Sequence, residues 1–299
     1  MTSMSKTANA RSKSKATAKT VKAKTTALTA AAPKVAPEQV PKNTVTSGVL
    51  RRWNVWASVI FLVQAAAILV LSNTRHLPVT TSYVAKDPLS EAAGNTQLVP
   101  AMHHLFDLNI TYLVVLFLLI AGVMHIIAAT KGRDGYERAL GQRVNALRWM
   151  EYTITASVML LVMVVLAGIF DATTLLLVLV LSIVMHVLGL LVELHNKDSK
   201  ADWTTWRIAC LAGSMPWIVF AICAIGTGVY GMTHLPGYVY GIWASMLVIF
   251  LGLAVNFYLQ RSARGRWADY LYGEKVFIVL SIVAKTALAW QIFAGLLHP

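Results

Sequence analysis

Seven apolar runs, each long enough to cross a bilayer, set the fold of this chain before any single residue is weighed. They lie at approximately residues 53–71, 108–130, 147–170, 173–194, 206–230, 237–259 and 276–297. About 20 residues in a helix cover the hydrocarbon core of a membrane. The chain is 57% hydrophobic and 13% charged, outside the range of soluble globular domains. The fold class that follows is an all-α membrane protein, a bundle of seven transmembrane helices.

The basic residues are distributed in alternate segments. Residues 1–52 hold 11 Lys and Arg, 131–148 hold five, 197–207 three and 261–275 four. These segments fall on one side of the bundle if the N-terminus is on that side, and only Arg75 and Lys86 fall on the other. The positive-inside rule then places the N-terminus in the cytoplasm and the C-terminus outside, in a multi-pass protein of the cell membrane. A basic excess that tracks alternate loops is a topology signal and not a nucleic-acid surface.

Residues 1–50 are rich in Ala, Lys, Thr and Ser, with Pro33, Pro37 and Pro41. Such a segment cannot bury a core and reads as a disordered basic cytoplasmic tail, available to anionic lipid. Residues 51–299 are the membrane domain. Within it, residues 72–107 form a long extracellular loop carrying the β-prone run PVTTSYV. A small strand pair is expected there, at an oligomer contact. Cys210 and Cys223 share the fifth run and are too far apart along one helix to bond to each other.

Lys285 lies inside the last apolar run, VFIVLSIVAKTALAWQIFAGLL. A charged ammonium at the bilayer centre costs roughly 2.5–3.5 kcal/mol on insertion scales. Two escapes are open to it: pairing with a buried acid, or loss of the free amine as a Schiff base with an aldehyde. The other embedded ionisable groups are Glu151, Glu193, Arg148, His125 and His186. Arg148 and Glu151 are three residues apart on one helical face, so they can pair with each other. Alternatively, Glu151 faces Lys285 as the counterion of a protonated Schiff base, holding that cation charged. Helix counting puts Glu151 nearer the cytoplasmic edge than Lys285, so tilt or overhang has to level them.

Several spans offer walls for a flat apolar ligand. Tyr152, Thr155, Ala156 and Met159 share a stripe of the third helix, and Met185 and Gly189 a face of the fourth. The fifth supplies Gly213, Pro216 and Trp217, and the sixth Phe250. Small residues admit a ring and aromatic ones cover its faces. The same stripes also serve plain helix packing. His186 alone reads as a satisfied structural histidine. The adjacent His103 and His104 have poor spacing for a metal and read as a solvated pair.

The segments RWMEYTITASVM in the third span and SIVAKTALAWQ in the seventh resemble those of the heliorhodopsins. LVPAMHHLFDLNITYLVVLFLL, leading into the second span, and LHN at the end of the fourth are similar too. The resemblance runs from about Arg51 to the C-terminus. It implies a rhodopsin-like seven-helix bundle of inverted orientation, which agrees with the charge split. It further implies all-trans retinal on Lys285 as a protonated Schiff base, Glu151 as counterion, and Ser281 in place of a second acid. His125, Arg148 and Glu193 would form a cytoplasmic polar cluster. The family pattern has a first-helix histidine, where this chain offers only Gln64 and Asn54.

The functional expectation is a light-sensing retinal protein, a photoreceptor without sustained ion pumping. It would be a homodimer in membrane lipid with an unidentified cytoplasmic signalling partner. A light-driven proton or ion transporter, and a non-photic carrier in which Lys285 pairs with Glu151, are the other readings. A pump needs polar stations on both sides of the Schiff base, whereas both embedded acids lie towards the cytoplasm. No GxSxG, Walker or HExxH pattern is present, so no enzyme is expected.

Overall fold

The structure, a computed structural model, describes residues 45–95, 97–196 and 203–298. The basic tail expected over residues 1–50 lies outside these up to residue 44. From Ser47 onward the chain is already helical, because Thr46 caps the first helix by accepting the Val49 N–H.

Nine α-helices are found among the described residues. Seven are long and apolar enough to span a membrane: α1 (Ser47–Leu71), α3 (Ile110–Ala129), α5 (Ala146–Leu166), α6 (Ala172–His195), α7 (Thr204–Val229), α8 (Gly237–Arg261) and α9 (Tyr270–Ile292). Two are short: α2 (Pro88–Ala92) and α4 (Arg133–Gly141). A π-helical turn, Phe293–Leu297, prolongs α9. Side-chain caps start four more of the spans. Asn109, Asn145, Asp171 and Asp269 accept the N–H groups of Tyr112, Arg148, Thr174 and Leu271. Each such cap contributes about 1 kcal/mol by satisfying an orphan donor.

The PVTTSYV run lies within strand β1 (His76–Lys86). It pairs antiparallel with β2 (Leu98–Asn109), in register from His76↔Asn109 to Lys86↔Leu98, with a bulge at Val79/Thr80. The hairpin is tied to the bundle where the Thr80 N–H donates to the Phe170 carbonyl at 2.9 Å. β2 runs directly into α3, so His103 and His104 are strand residues. His104 is paired with Asp107 at 2.8 Å on an exposed surface.

Around the bundle, α1 packs on α3, α3 on α5, α5 on α6 and α6 on α7, while α9 closes the ring against α8 and α1. Between α7 and α8 aromatic pairs stand where close backbone contact would otherwise form. Trp217 meets Trp243 edge-on, Phe220 stacks on Trp243 at 4.1 Å, and Trp206 stacks on Phe257 at 4.7 Å. These wide side chains hold the two helices apart and leave room inside. The outward faces carry exposed Val70, Ile222 and Leu211. Lipid tails are as apolar as these side chains, so the bundle gains nothing by hiding them.

Candidate functional site

Two helical repeats set opposite one another build the centre. On α9, Ser281 and Lys285 are one turn apart on the same face; on α5, so are Glu151 and Thr155. Lys285 Nζ lies 3.0 Å from Glu151 Oε1 and donates to Ser281 Oγ at 2.7 Å. The Thr155 hydroxyl donates to the same Glu151 oxygen at 2.9 Å. Lys285 and Glu151 are only 3% and 4% exposed. The rings of Tyr152 and Phe61 face Nζ with centroids at 5.1 and 5.6 Å, a further attraction for a cation. Two buried charges survive because each is paired and additionally hydrogen-bonded.

Of the two partners open to Glu151, the structure gives it Lys285. Arg148, although on the same helix face, turns to other acids. The levels match because Glu274 of α9 is hydrogen-bonded to Asn145, the cap of α5. From that layer Lys285 is 11 residues onward and Glu151 six. The remaining difference is about 7.5 Å at helical rise, within reach of two long side chains.

Arg148 forms a second buried centre. Its Nη2 contacts Glu193 Oε1 at 2.5 Å and its Nη1 donates to Glu274. The Asn145 N–H and the Trp149 indole N–H both donate to Glu193 Oε2 at 2.9 Å. Gln260 donates to Glu274 Oε1 at 2.9 Å. The guanidinium also lies over the Phe277 ring, 3.9 Å from its centroid. The cluster expected from sequence, His125, Arg148 and Glu193, does not include Glu274, which stands two residues before the last apolar run among the charges of a connecting segment. Its signal was Asp269, a helix-capping residue type that starts α9 at Tyr270 and carries Glu274 into the bundle.

His125 joins through α1. Its Nδ1 is 2.7 Å from Asn54 Oδ1, and Asn54 Nδ2 is committed to the Leu50 carbonyl at 2.9 Å. The asparagine oxygen can only accept, so His125 Nδ1 carries the proton between them. The Phe61 ring packs on His125 at 5.6 Å. Gln64, the other polar residue considered on the first span, bonds instead to Thr286 at 3.0 Å. A cavity of about 30 Å³ runs between the two centres, lined by Asn54, His125, Tyr136, Arg148, Glu151 and Glu274 among others. Its volume and polar walls suit a water molecule.

A much larger cavity, about 470 Å³, opens on the other side of Lys285. Of the residues picked from sequence stripes, Tyr152, Ala156, Met159, Met185, Gly189, Gly213, Trp217 and Phe250 line it, together with Ser281 and Lys285. Thr155 does not; its hydroxyl is spent on Glu151. Trp149, Trp206, Phe257 and Phe277 also line it and were not picked, because in sequence they look like ordinary packing aromatics. His186 is both satisfied, with Nδ1 2.7 Å from the Ser182 carbonyl, and part of the cavity wall. Two glycines keep the space open. A Cβ on Gly189 would lie 2.2 Å from the Trp149 ring, and one on Gly213 2.4 Å from Met185 Sδ. The volume falls in the range of small-molecule pockets. Flat aromatic walls ending at a buried amine fit a long, flat, apolar molecule with an aldehyde end.

A family model described as Heliorhodopsin matches residues 50–297. Solved structures of similar fold include the light-driven proton pump rhodopsin of Coccomyxa subellipsoidea, 16% identical with a TM-score of 0.56, covering 85% of this chain and 98% of that one. A light-driven proton pump of Leptosphaeria maculans is 17% identical, with a TM-score of 0.57 over 84% and 96% of the two chains. The transmembrane domain of the Salpingoeca rosetta rhodopsin phosphodiesterase is 11% identical, with a TM-score of 0.57 over 83% and 84%. At these identities the likeness is one of fold. No curated protein matches the chain in sequence.

Proposed function

The chain belongs to the heliorhodopsin family, a multi-pass membrane protein for which a retinal chromophore is expected, and from that premise we propose that it is a light sensor holding all-trans retinal on Lys285. The observation that carries this reading is the buried Lys285 amine at the end of the 470 Å³ aromatic cavity, 3.0 Å from Glu151. Bound there through an imine at Nζ, retinal supplies a visible absorption band and a change of shape on illumination. Glu151 supplies the negative charge that keeps a cation at Nζ favourable. Thr155 and Ser281 fix that charge and that nitrogen by hydrogen bonds. Tyr152, Trp217 and Phe250 form the walls, and Gly189 and Gly213 set the width.

Glu151 Oε1 is also the nearest group able to take a proton at Nζ. Beyond it, the small polar cavity leads to His125 and to the Arg148, Glu193 and Glu274 cluster. Among the described residues the buried acids are Glu151, Glu193 and Glu274. All three lie on the side of the N-terminus, so a proton moved there has no buried acid to meet on the other side. That asymmetry favours a receptor reporting to a cytoplasmic partner over a pump, and no enzymatic activity is part of the proposal.

The test is an absorption spectrum of protein made with and without retinal. The parent should be coloured; Lys285→Ala should insert in the membrane and lack the visible band. Glu151→Gln should move the band to the red at acid pH and lose the Nζ proton at lower pH than the parent. A visible, hydroxylamine-sensitive band in Lys285→Ala would sink the assignment. The inverted orientation rests on the charge split. A tag at residue 1 should resist protease added to intact cells, and a tag after Pro299 should be cut; the reverse pattern refutes it.

A further inference from the structure

Helix α4 lies outside the spans and is amphipathic. Asp134 and Arg138 are exposed, Arg133 pairs with Glu137 at 2.8 Å, and Leu140 is buried. Among the described residues, Tyr136 is the one α4 side chain that lines the polar cavity. The other lining residues come from α1, α3, α5 with its cap Asn145, and α9. Asn54 and Asn145, the two asparagines that hold His125 and Glu274, stand in the same cavity wall.

The links on either side of α4 are tight. The Gly132 N–H donates to the Ile127 carbonyl at 2.9 Å, and a Cβ on Gly132 would lie 2.9 Å from that carbonyl oxygen and 2.8 Å from Ile127 Cγ2. On the other side Arg143 adopts a left-handed backbone, φ 57°, and the Val144 N–H returns to the Ala139 carbonyl at 3.1 Å. Short, specified links of this kind hold one helix in one place.

We propose that α4 is a lid and that the Tyr136 ring is the stopper that separates the buried Arg148, Glu274 and His125 network from the solution. The lid is independent of what binds Lys285. Burial, and then the nearby Glu274 carboxylate, push the Tyr136 phenol above its usual range, so it stays neutral and a hydrogen-bond donor at physiological pH.

Ala128 also lines the cavity and is 4% exposed, so a cysteine there reports on the seal. The test uses full-length protein with Cys210→Ala, Cys223→Ala and Ala128→Cys, without retinal, and follows labelling by a small charged thiosulfonate. With Tyr136 in place, labelling should be slow compared with Lys131→Cys in the same background. Tyr136→Ala should raise the rate about tenfold or more, as expected for loss of a local closed state. Gly132→Ala displaces α4 without touching the cavity and should act in the same direction. Tyr136→Phe keeps the ring and should stay within about twofold of the parent. If Tyr136→Ala loses its cooperative melt, the Gly132→Ala rate decides alone. Fast labelling in the parent or in Tyr136→Phe, or no rise in either opening variant, overturns the lid.

Discussion

The two halves of the bundle, divided at the level of Lys285, are built on different chemistry. The half towards the N-terminus buries three carboxylates and a guanidinium in two hydrogen-bonded centres, with the half-buried His125 imidazole beside the cavity between them. The opposite half is joined by neutral pairs: Gln64 with Thr286 at 3.0 Å, Ser245 with Gln291 at 3.0 Å, and, across α5 and α6, Ser157 with Ser182 at 2.9 Å. Neutral pairs can tie helices together, but they offer no site at which a proton rests near neutral pH. The difference therefore concerns transport as much as stability: one half can store a proton, and among the described residues the other buries no acid to receive one.

The largest effect at stake is the presence or absence of transport. Illuminated cells or vesicles containing the retinal-loaded protein should give no stationary photocurrent and no sustained pH change. A pump would need a station on each side of Nζ. A steady current abolished by Lys285→Ala would break the comparison, since it would require a path through the neutral half.

A second experiment sets the two halves against each other energetically. Arg148→Gln leaves Glu193 and Glu274 buried together without their cation. Breaking a buried ion pair in this way costs about 3–5 kcal/mol, because an uncompensated charge remains. Gln64→Leu on the other side removes one neutral hydrogen bond and should cost about 1 kcal/mol. Denaturation of the two variants in the same detergent checks the ratio; equal losses would mean that the ionic network is not what holds the N-terminal half together.

Much of this layout was legible in sequence, for reasons that differ by residue. The seven spans are long and apolar, and their ends moved mainly where capping residues lay outside the apolar runs. Thr46 starts α1 at Ser47, six residues before the apolar run at Trp53, and Asp269 starts α9 at Tyr270, before Lys275. Lys285 and Glu151 stood out because charge is rare in such runs, and their approach to 3.0 Å required only that two helices lie side by side. Glu274 was not legible as buried because it sits among loop-like charges, and only the cap shows that it belongs to a helix. The aromatic wall from Trp206 and Phe257 was hidden for the opposite reason. In a membrane helix an aromatic that packs, one that faces lipid and one that lines a cavity look alike until the partner helix is placed.

The smallest effect belongs to the rim of the neutral half, where the hairpin meets α6. Asp171 caps that helix: one carboxylate oxygen accepts the Thr174 N–H at 3.0 Å and the Thr173 hydroxyl, and the other accepts the Ser82 N–H at 3.3 Å and hydroxyl at 3.1 Å. The Thr173 hydroxyl first, and then the Thr174 amide, hold this carboxyl well below the usual carboxylate range. A depressed acid contributes stability that is present above its unfolded pKa and is lost as pH falls through its folded one. The junction should therefore persist through mildly acid conditions in which ordinary carboxylates are already protonated. Asp171→Asn keeps an acceptor but loses the charge, and should cost about 1 kcal/mol or less because the site is open to water. Amide exchange at Ser82 and Thr174 measures this locally: both should exchange faster in Asp171→Asn at neutral pH, while the Asn145 amide in the ionic half stays as slow as in the parent. Faster exchange at Asn145 as well would show that the two halves are coupled rather than separate.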